Sequence, residues 1–205
     1  GKTYAYLVNT YNGVFVYDVT EPTEPRRVAH IILPVGKESP NFRSLKTAWQ
    51  ATRACLLPFE GENEIYSPVG AVALHRGVLY IAGVYNDVFA YPCEKLCERL
   101  PFSPVSCFSE GSYYGVPEDN YGISSLRHFA PGGQVFCAVP HRDRLILACG
   151  NGGIVVTDRD FNVIFRHKTE YAVQYLQMSG DILYSSETHG GLAVYLVGAD
   201  GLIVI

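Results

Sequence analysis

Four stretches of this 205-residue chain carry one pattern: an apolar strand, a polar loop closed by Gly or Asp, and a second apolar strand. They are residues 4–17, 78–91, 144–157 and 182–195. Gly13, Asp87, Gly153 and Gly191 hold the same register in the four stretches, and the residues seven places earlier are Tyr6, Tyr80, Ile146 and Tyr184. Such a repeat limits the fold more than any other feature of the chain. Each repeat is a small supersecondary unit that cannot bury its own apolar face, so neighbouring units must stack to form a core.

The last two repeats divide most cleanly, because Gly153 and Gly191 are 38 residues apart. The alternation of apolar runs and turn residues predicts strands at 135–140, 145–148, 154–157 and 163–167, then at 173–177, 182–185, 192–197 and 202–205. Fifteen Tyr, 10 Phe and 20 Gly supply residues for pleated half-buried surfaces and for the turns between them. Four short strands per repeat of about 38 residues is the arithmetic of a β-propeller. The expected fold is therefore all-β, a single propeller or partial propeller domain over 1–205 with four visible four-stranded units. Residues 1–3 match the turn before a unit's second strand, so the first unit is expected to lack its innermost strand. An incomplete unit leaves an open edge, which reads as an excerpt of a larger ring or as a blade completed by flanking residues or another chain. The intervals from Gly13 to Asp87 and from Asp87 to Gly153 exceed one period, which places insertions at about 34–68 and 101–134. Both insertions are expected between consecutive units. Phe42, Leu45, Trp49 and Leu56 recur at roughly helical spacing after Ser39-Pro40-Asn41 and predict a helix within 44–57.

Residues 4–32, centred on Gly13-Val14-Phe15-Val16-Tyr17-Asp18-Val19-Thr20-Glu21-Pro22-Thr23-Glu24-Pro25, resemble the LVIVD repeat of β-propeller proteins. The pattern is a Gly, an apolar run, Asp-Val and a polar turn with two prolines. Later repeats keep the strands and lose parts of the turn: Thr157-Asp158 retains the Asp without prolines, and Tyr91-Pro92 and Tyr195-Leu196 lack it. The resemblance implies a propeller fold and leans toward an extracellular or cell-surface location. It brings no catalytic motif, so no active-site residue is carried over.

The formal net charge of −4 and the absence of any Lys/Arg run longer than Arg26-Arg27 provide no field for phosphate backbones, which argues against nucleic-acid binding. No apolar stretch approaches the roughly 20 residues of a membrane-spanning helix. Cys93-x3-Cys97 with Cys107 beyond it matches no zinc knuckle or redox pair, though a disulfide among the three is compatible with export. Cys137 and Cys149 lie in apolar runs on adjacent strands and are expected as free thiols that pack as small hydrophobes, even if they face each other. His75-Arg76 and His141-Arg142 occupy equivalent turns between first and second strands, which repeat ancestry explains. His128 and His189 are expected in loops. No nucleophile elbow, metalloprotease helix or phosphate loop is present, so no catalytic residue, metal site or cofactor is assigned.

In a propeller, connections from second to third strand and from one unit to the next emerge on one face. That face would gather Tyr11, Tyr85, Asp87, Glu187 and His189 with Trp49 of the first insertion and Tyr113, Tyr114, Tyr121 and Phe129 of the second. Aromatic residues with a polar handle are enriched where partners bind. The sequence thus points to a non-catalytic binding or scaffolding module that recognises a protein or glycan through this face. Two alternatives are a hydrolase-like or metal-dependent enzyme using Asp87, Glu187 and His189 at a channel mouth, and a structural subunit of a larger assembly.

Overall fold

A computed structural model of the chain describes residues 1–9, 13–31, 33–35, 65–67, 69–84, 88–96 and 127–205. It divides into two compact bodies, one of Gly1–Pro68 with Leu96–Ile123 and one of Val69–Lys95 with Ser124–Ile205. The first body contains sheet I, the antiparallel order β1 (Tyr4–Asn9), β2 (Gly13–Asp18) and β3 (Arg26–Ile31). It also holds an antiparallel pair, β4 (Leu33–Val35) with β5 (Ile65–Ser67).

The second body holds three four-stranded antiparallel sheets, each in simple sequence order. Sheet II comprises β6 (Val69–His75), β7 (Val78–Gly83), β8 (Val88–Pro92) and β9 (Arg127–Phe129), with the short helix α1 (Cys93–Leu96) after β8. Sheet III comprises β10 (Cys137–His141), β11 (Arg144–Ala148), β12 (Ile154–Asp158) and β13 (Val163–His167). Sheet IV comprises β14 (Val173–Ser179), β15 (Ile182–Glu187), β16 (Gly191–Val197) and β17 (Leu202–Val204). The chain is all-β apart from that one helical turn among the described residues, and the four sheets are the four expected repeats. The eight strands predicted from periodicity in the last two repeats are all present.

The repeat extends to backbone detail. The second-to-third strand turn of a sheet closes at a glycine with positive φ: 85° at Gly13, 76° at Gly153 and 79° at Gly191. Only glycine takes that conformation without steric cost, which is why the register residue is Gly in three repeats. At Gly153 a Cβ would also lie 2.2 Å from the carbonyl oxygen of His167. Register shifts recur as well, between Val16 and Tyr17 in sheet I and at the equivalent Val156 and Thr157 in sheet III.

Strand alternation gives each sheet of the second body two apolar faces. The forward face of sheet II, with Ala73, Tyr80, Ala82, Val88 and Ala90, shares a core with Ala138, Leu145, Leu147 and Val155 on the rear face of sheet III. Phe161 joins that core; its ring stacks on Phe129 at 5.6 Å and meets Tyr80 edge-on at 5.8 Å. The forward face of sheet III, with Cys137, Ile146, Ala148, Ile154 and Val156, packs on Leu176, Leu183, Tyr195 and Val197 of sheet IV. Each Leu or Ile fully buried in this way contributes about 1.5–3 kcal/mol.

Several sequence expectations change. Arg127–Phe129 is the fourth strand of sheet II, so the second long segment joins the third and fourth strands of one sheet instead of linking two sheets. A three-residue strand after a long polar stretch is too short for periodicity to reveal. His128 consequently lies in a strand, and Phe129 packs into the core instead of anchoring a partner. Cys137 and Cys149 are free thiols as expected but do not face each other: Cys137 belongs to the core between sheets III and IV, and Cys149 to the core between sheets II and III. Antiparallel pairing sets Cys137 opposite Ala148, and the next residue along points the other way. The helix expected within 44–57 lies outside the described residues, as do Cys97 and Cys107.

Candidate functional site

Each sheet of the second body has two ends. One, the turn end, carries the first-to-second strand hairpins; the other, the loop end, carries the second-to-third strand turns and the connections to the next sheet. Because Val78 pairs with Pro92, the segment after β8 departs from the turn end. The Cys93 amide donates to the Gly77 carbonyl there at 2.8 Å. The second long segment therefore leaves from the end opposite the one assigned to it from sequence. Tyr11, Trp49, Tyr85, Asp87, Tyr113, Tyr114 and Tyr121 lie outside the described residues. Glu187 and His189 are described, and both sit at the loop end.

The loop end of sheets III and IV is laced by main-chain bonds. The Gly150 amide donates to the Val173 carbonyl at 3.1 Å and the Val173 amide returns to the Gly150 carbonyl at 3.0 Å, so the turn of one sheet is tied to the first strand of the next. The Thr188 amide donates to the Ala172 carbonyl at 3.0 Å, and the Thr169 hydroxyl to the Tyr171 carbonyl at 2.6 Å. These bonds hold the 168–173 connection against the β15–β16 turn. Tyr171 and His189 meet edge-to-face, with ring centroids 6.5 Å apart, on the exposed rim. Gly190 lies under the tyrosine ring: a Cβ there would stand 2.6 Å from its Cδ2.

Glu187 is held from below. The Tyr195 hydroxyl donates to Glu187 Oε1 at 3.0 Å, and the His167 ring packs edge-on against Tyr195 at 5.0 Å. Burial, then the hydrogen bond and charge of Glu187, pushes the Tyr195 phenol up to about 12. The phenol thus remains a donor and orients the carboxylate. On the rim, the Tyr171 phenol is also raised, chiefly by its hydrogen bond to Glu170. The result is an oriented carboxylate, an imidazole and an exposed tyrosine side by side. Among the described residues no group of three or more His, Cys, Asp or Glu comes together. Glu187 and His189, singled out in the sequence as candidates, lie near Tyr171, Tyr195 and His167, which local pattern does not single out because the contacts joining them run between strands and across the 168–173 connection.

The turn end is organised differently. His75 Nε2 lies 2.6 Å from the Arg142 carbonyl oxygen, and the Arg76 guanidinium pairs with Asp143. One sheet further on, His141 Nε2 lies 3.1 Å from Asp181 Oδ1, and Arg142 Nη2 donates to Asp181 Oδ2 at 2.8 Å. In both turns the Arg thus reaches the aspartate of the next, joined there by His141, whereas His75 meets the Arg142 carbonyl. Arg76 and Arg142 adopt positive φ values of 48° and 55°, uncommon for a residue with a Cβ. Burial, aided by the Arg142 and Arg144 charges, lowers the His141 pKa against the pull of Asp181, so near neutrality its ring is an uncharged donor to the carboxylate. The two His-Arg pairs are therefore inter-sheet staples, a role that becomes visible in sequence only when Asp143 and Asp181 are aligned to the same turn position.

No family model matches this chain, and no curated protein does. Among solved structures it is similar to the computationally designed Ika8 protein, with a TM-score of 0.57 at 10% identity over 98% of this chain and 45% of that one. It is also similar to Sqt1 of Saccharomyces cerevisiae, with a TM-score of 0.51 at 10% identity over 100% of this chain and 40% of that one. The chain therefore spans less than half the length of either, and at such identities the likeness concerns fold alone.

Proposed function

We propose that the chain is a β-propeller-type array of stacked four-stranded repeats that serves as a non-catalytic binding module, engaging a protein or glycan at the loop end of its second body. The shared register of the four sheets supports the propeller. The observation that carries the site is the rim formed by Tyr171, His189 and Glu187. An aromatic face beside an oriented carboxylate offers stacking together with hydrogen-bond acceptance, a combination suited to hydroxyl-rich or amide-rich ligands.

Binding to arrays of immobilised oligosaccharides and of extended peptides tests this reading. One class should be retained by the parent chain, and Tyr171→Ala with His189→Ala should weaken that binding at least tenfold while circular dichroism is unchanged. Undiminished binding by the double variant would remove the rim from the interface and sink the proposal.

A further inference from the structure

Sheets III and IV repeat at an offset of 38 residues, so the rim residues at the loop end of sheet IV have counterparts in sheet III. Glu170, Tyr171, Glu187 and His189 stand where sheet III has Gly132, Gly133, Cys149 and Asn151. The loop end of sheet III closes on itself: a Cβ at Gly133 would lie 2.3 Å from the Cys149 carbonyl oxygen, and one at Gly152 would lie 3.0 Å from the same atom. The larger polar side chains therefore distinguish the sheet IV rim from its counterpart. Asn151 and Gly152 are exposed although sheet III packs against a sheet on each side, so the exposure of His189 and Gly190 at the same positions belongs to the turn itself. Glu187 shares a face with Leu183 and Ser185 and, with Tyr195, lies on the side of sheet IV that packs on sheet III.

Within this rim an aromatic ring and a carboxylate oxygen converge over bare backbone. Glu187 Oε1 accepts from the Tyr195 hydroxyl, whereas Oε2 has no hydrogen-bond partner among the described residues. A Cβ at Gly190 would lie 3.3 Å from Oε2 and 2.6 Å from Tyr171 Cδ2, so the absence of that atom is what lets the ring settle beside the carboxylate. The backbone does not demand glycine here. Gly190, unlike Gly191, has no positive φ, and Asn86 stands at the same position of the second repeat. Among the described residues neither Glu187 nor the neighbouring Glu170 forms an ion pair, so the negative charge beside the ring is uncompensated.

We propose that Tyr171 and Glu187 together bind the guanidinium of an arginine in an extended peptide partner, an assignment that rests on the reading of this rim as a binding site. The planar guanidinium stacks on the exposed Tyr171 ring, whose quadrupole attracts a cation, while one of its N–H groups donates to Glu187 Oε2. His189, edge-on to Tyr171, sets the plane of the ring, and Tyr195 sets the carboxylate. Glu170 adds a second negative charge next to the ring. A sugar hydroxyl also donates to Oε2 but leaves the charge of both carboxylates unmet. The electrostatics thus favour a cationic side chain over a neutral glycan.

Immobilised extended peptides that differ only at a central Arg, Lys, citrulline or Glu test the assignment, with neutral oligosaccharides on the same array and circular dichroism as the folding control. Arg peptides should be retained at least tenfold more tightly than their citrulline counterparts, which keep the planar group without its charge, and added salt should weaken that retention. Glu187→Gln, which keeps an acceptor for Tyr195, should abolish the preference for Arg over citrulline. Gly190→Ala, which lifts the ring from the carboxylate, should weaken Arg binding at least tenfold. Retention of no Arg peptide, equal retention of Arg and citrulline peptides, or a preference unchanged in Glu187→Gln would each overturn the assignment. If the parent chain instead retains a neutral oligosaccharide that Tyr171→Ala releases, the rim stands as a binding site and the arginine assignment alone falls. Binding indifferent to Tyr171→Ala removes both.

Discussion

At Asp158 one carboxylate gathers three donors: the amides of Asp160 and Asn162 at 2.8 and 2.9 Å, and the Asn162 side-chain amide at 2.8 Å. The Asp158 amide in turn donates to the Asn162 carbonyl at 2.9 Å, closing the turn between β12 and β13. Asp18 stands at the same place in sheet I and accepts from the Thr20 amide at 3.0 Å; hydrogen bonds from Thr20 lower its pKa. The aspartate of the repeat motif is thus a turn-closing acceptor, which explains why it persists at Asp158 where the prolines are absent. Asp158→Ala should lower unfolding stability by about 2 kcal/mol, the order expected when one carboxylate leaves several donors unmet, and Asp158→Asn by less. Urea denaturation monitored by circular dichroism would measure both, and an unchanged midpoint for the alanine variant would contradict the assignment.

Among the elements, the two-residue hairpins at the turn end do more than reverse the chain. Those of sheets II and III send cationic or imidazole groups to the hairpin of the next sheet, and Asp181 receives both His141 and Arg142. These side chains are substantially solvated apart from His141, so the ion pairs contribute at most about 1 kcal/mol each. The His141 ring is the pH-sensitive part. Its pKa is lowered in the folded chain, so folding favours the neutral ring. Its contribution is complete above the ordinary value of 6.5 and is lost as pH falls through the lower folded value. The melting temperature should therefore drop on acidification below about 6.5, and His141→Gln, which keeps a donor but cannot titrate, should flatten that drop. A drop of equal size in the variant would show that other groups govern it.

At the scale of the whole molecule, buried phenols and thiols among the described residues, Cys137 included, favour the neutral state. Burial pushes Tyr91 and Cys149 to about 12, and burial with Glu187 does the same to Tyr195. Because each folded value lies above the ordinary one, their contributions are complete at neutral pH and are lost as pH rises from the ordinary range of 9.0–10.0 toward about 12. Thermal melts should show falling stability across that window, with a smaller fall in Tyr195→Phe. Equal losses in parent and variant would mean that the Glu187–Tyr195 pair carries no weight at this scale.

The amino-acid order by itself determined the all-β class, the four repeats, the strands of sheets III and IV, and the shared register of Gly13, Gly153 and Gly191. These depend on local periodicity and backbone sterics, which any stretch of chain carries within itself. Only tertiary structure decided the rest. It placed the second long segment within sheet II, gave the His-Arg turns partners on the next sheet, and joined Tyr171 and Tyr195 to His189 and Glu187. Each of these depends on which strands and sheets lie side by side, and packing decides that between residues from 8 to 67 positions apart.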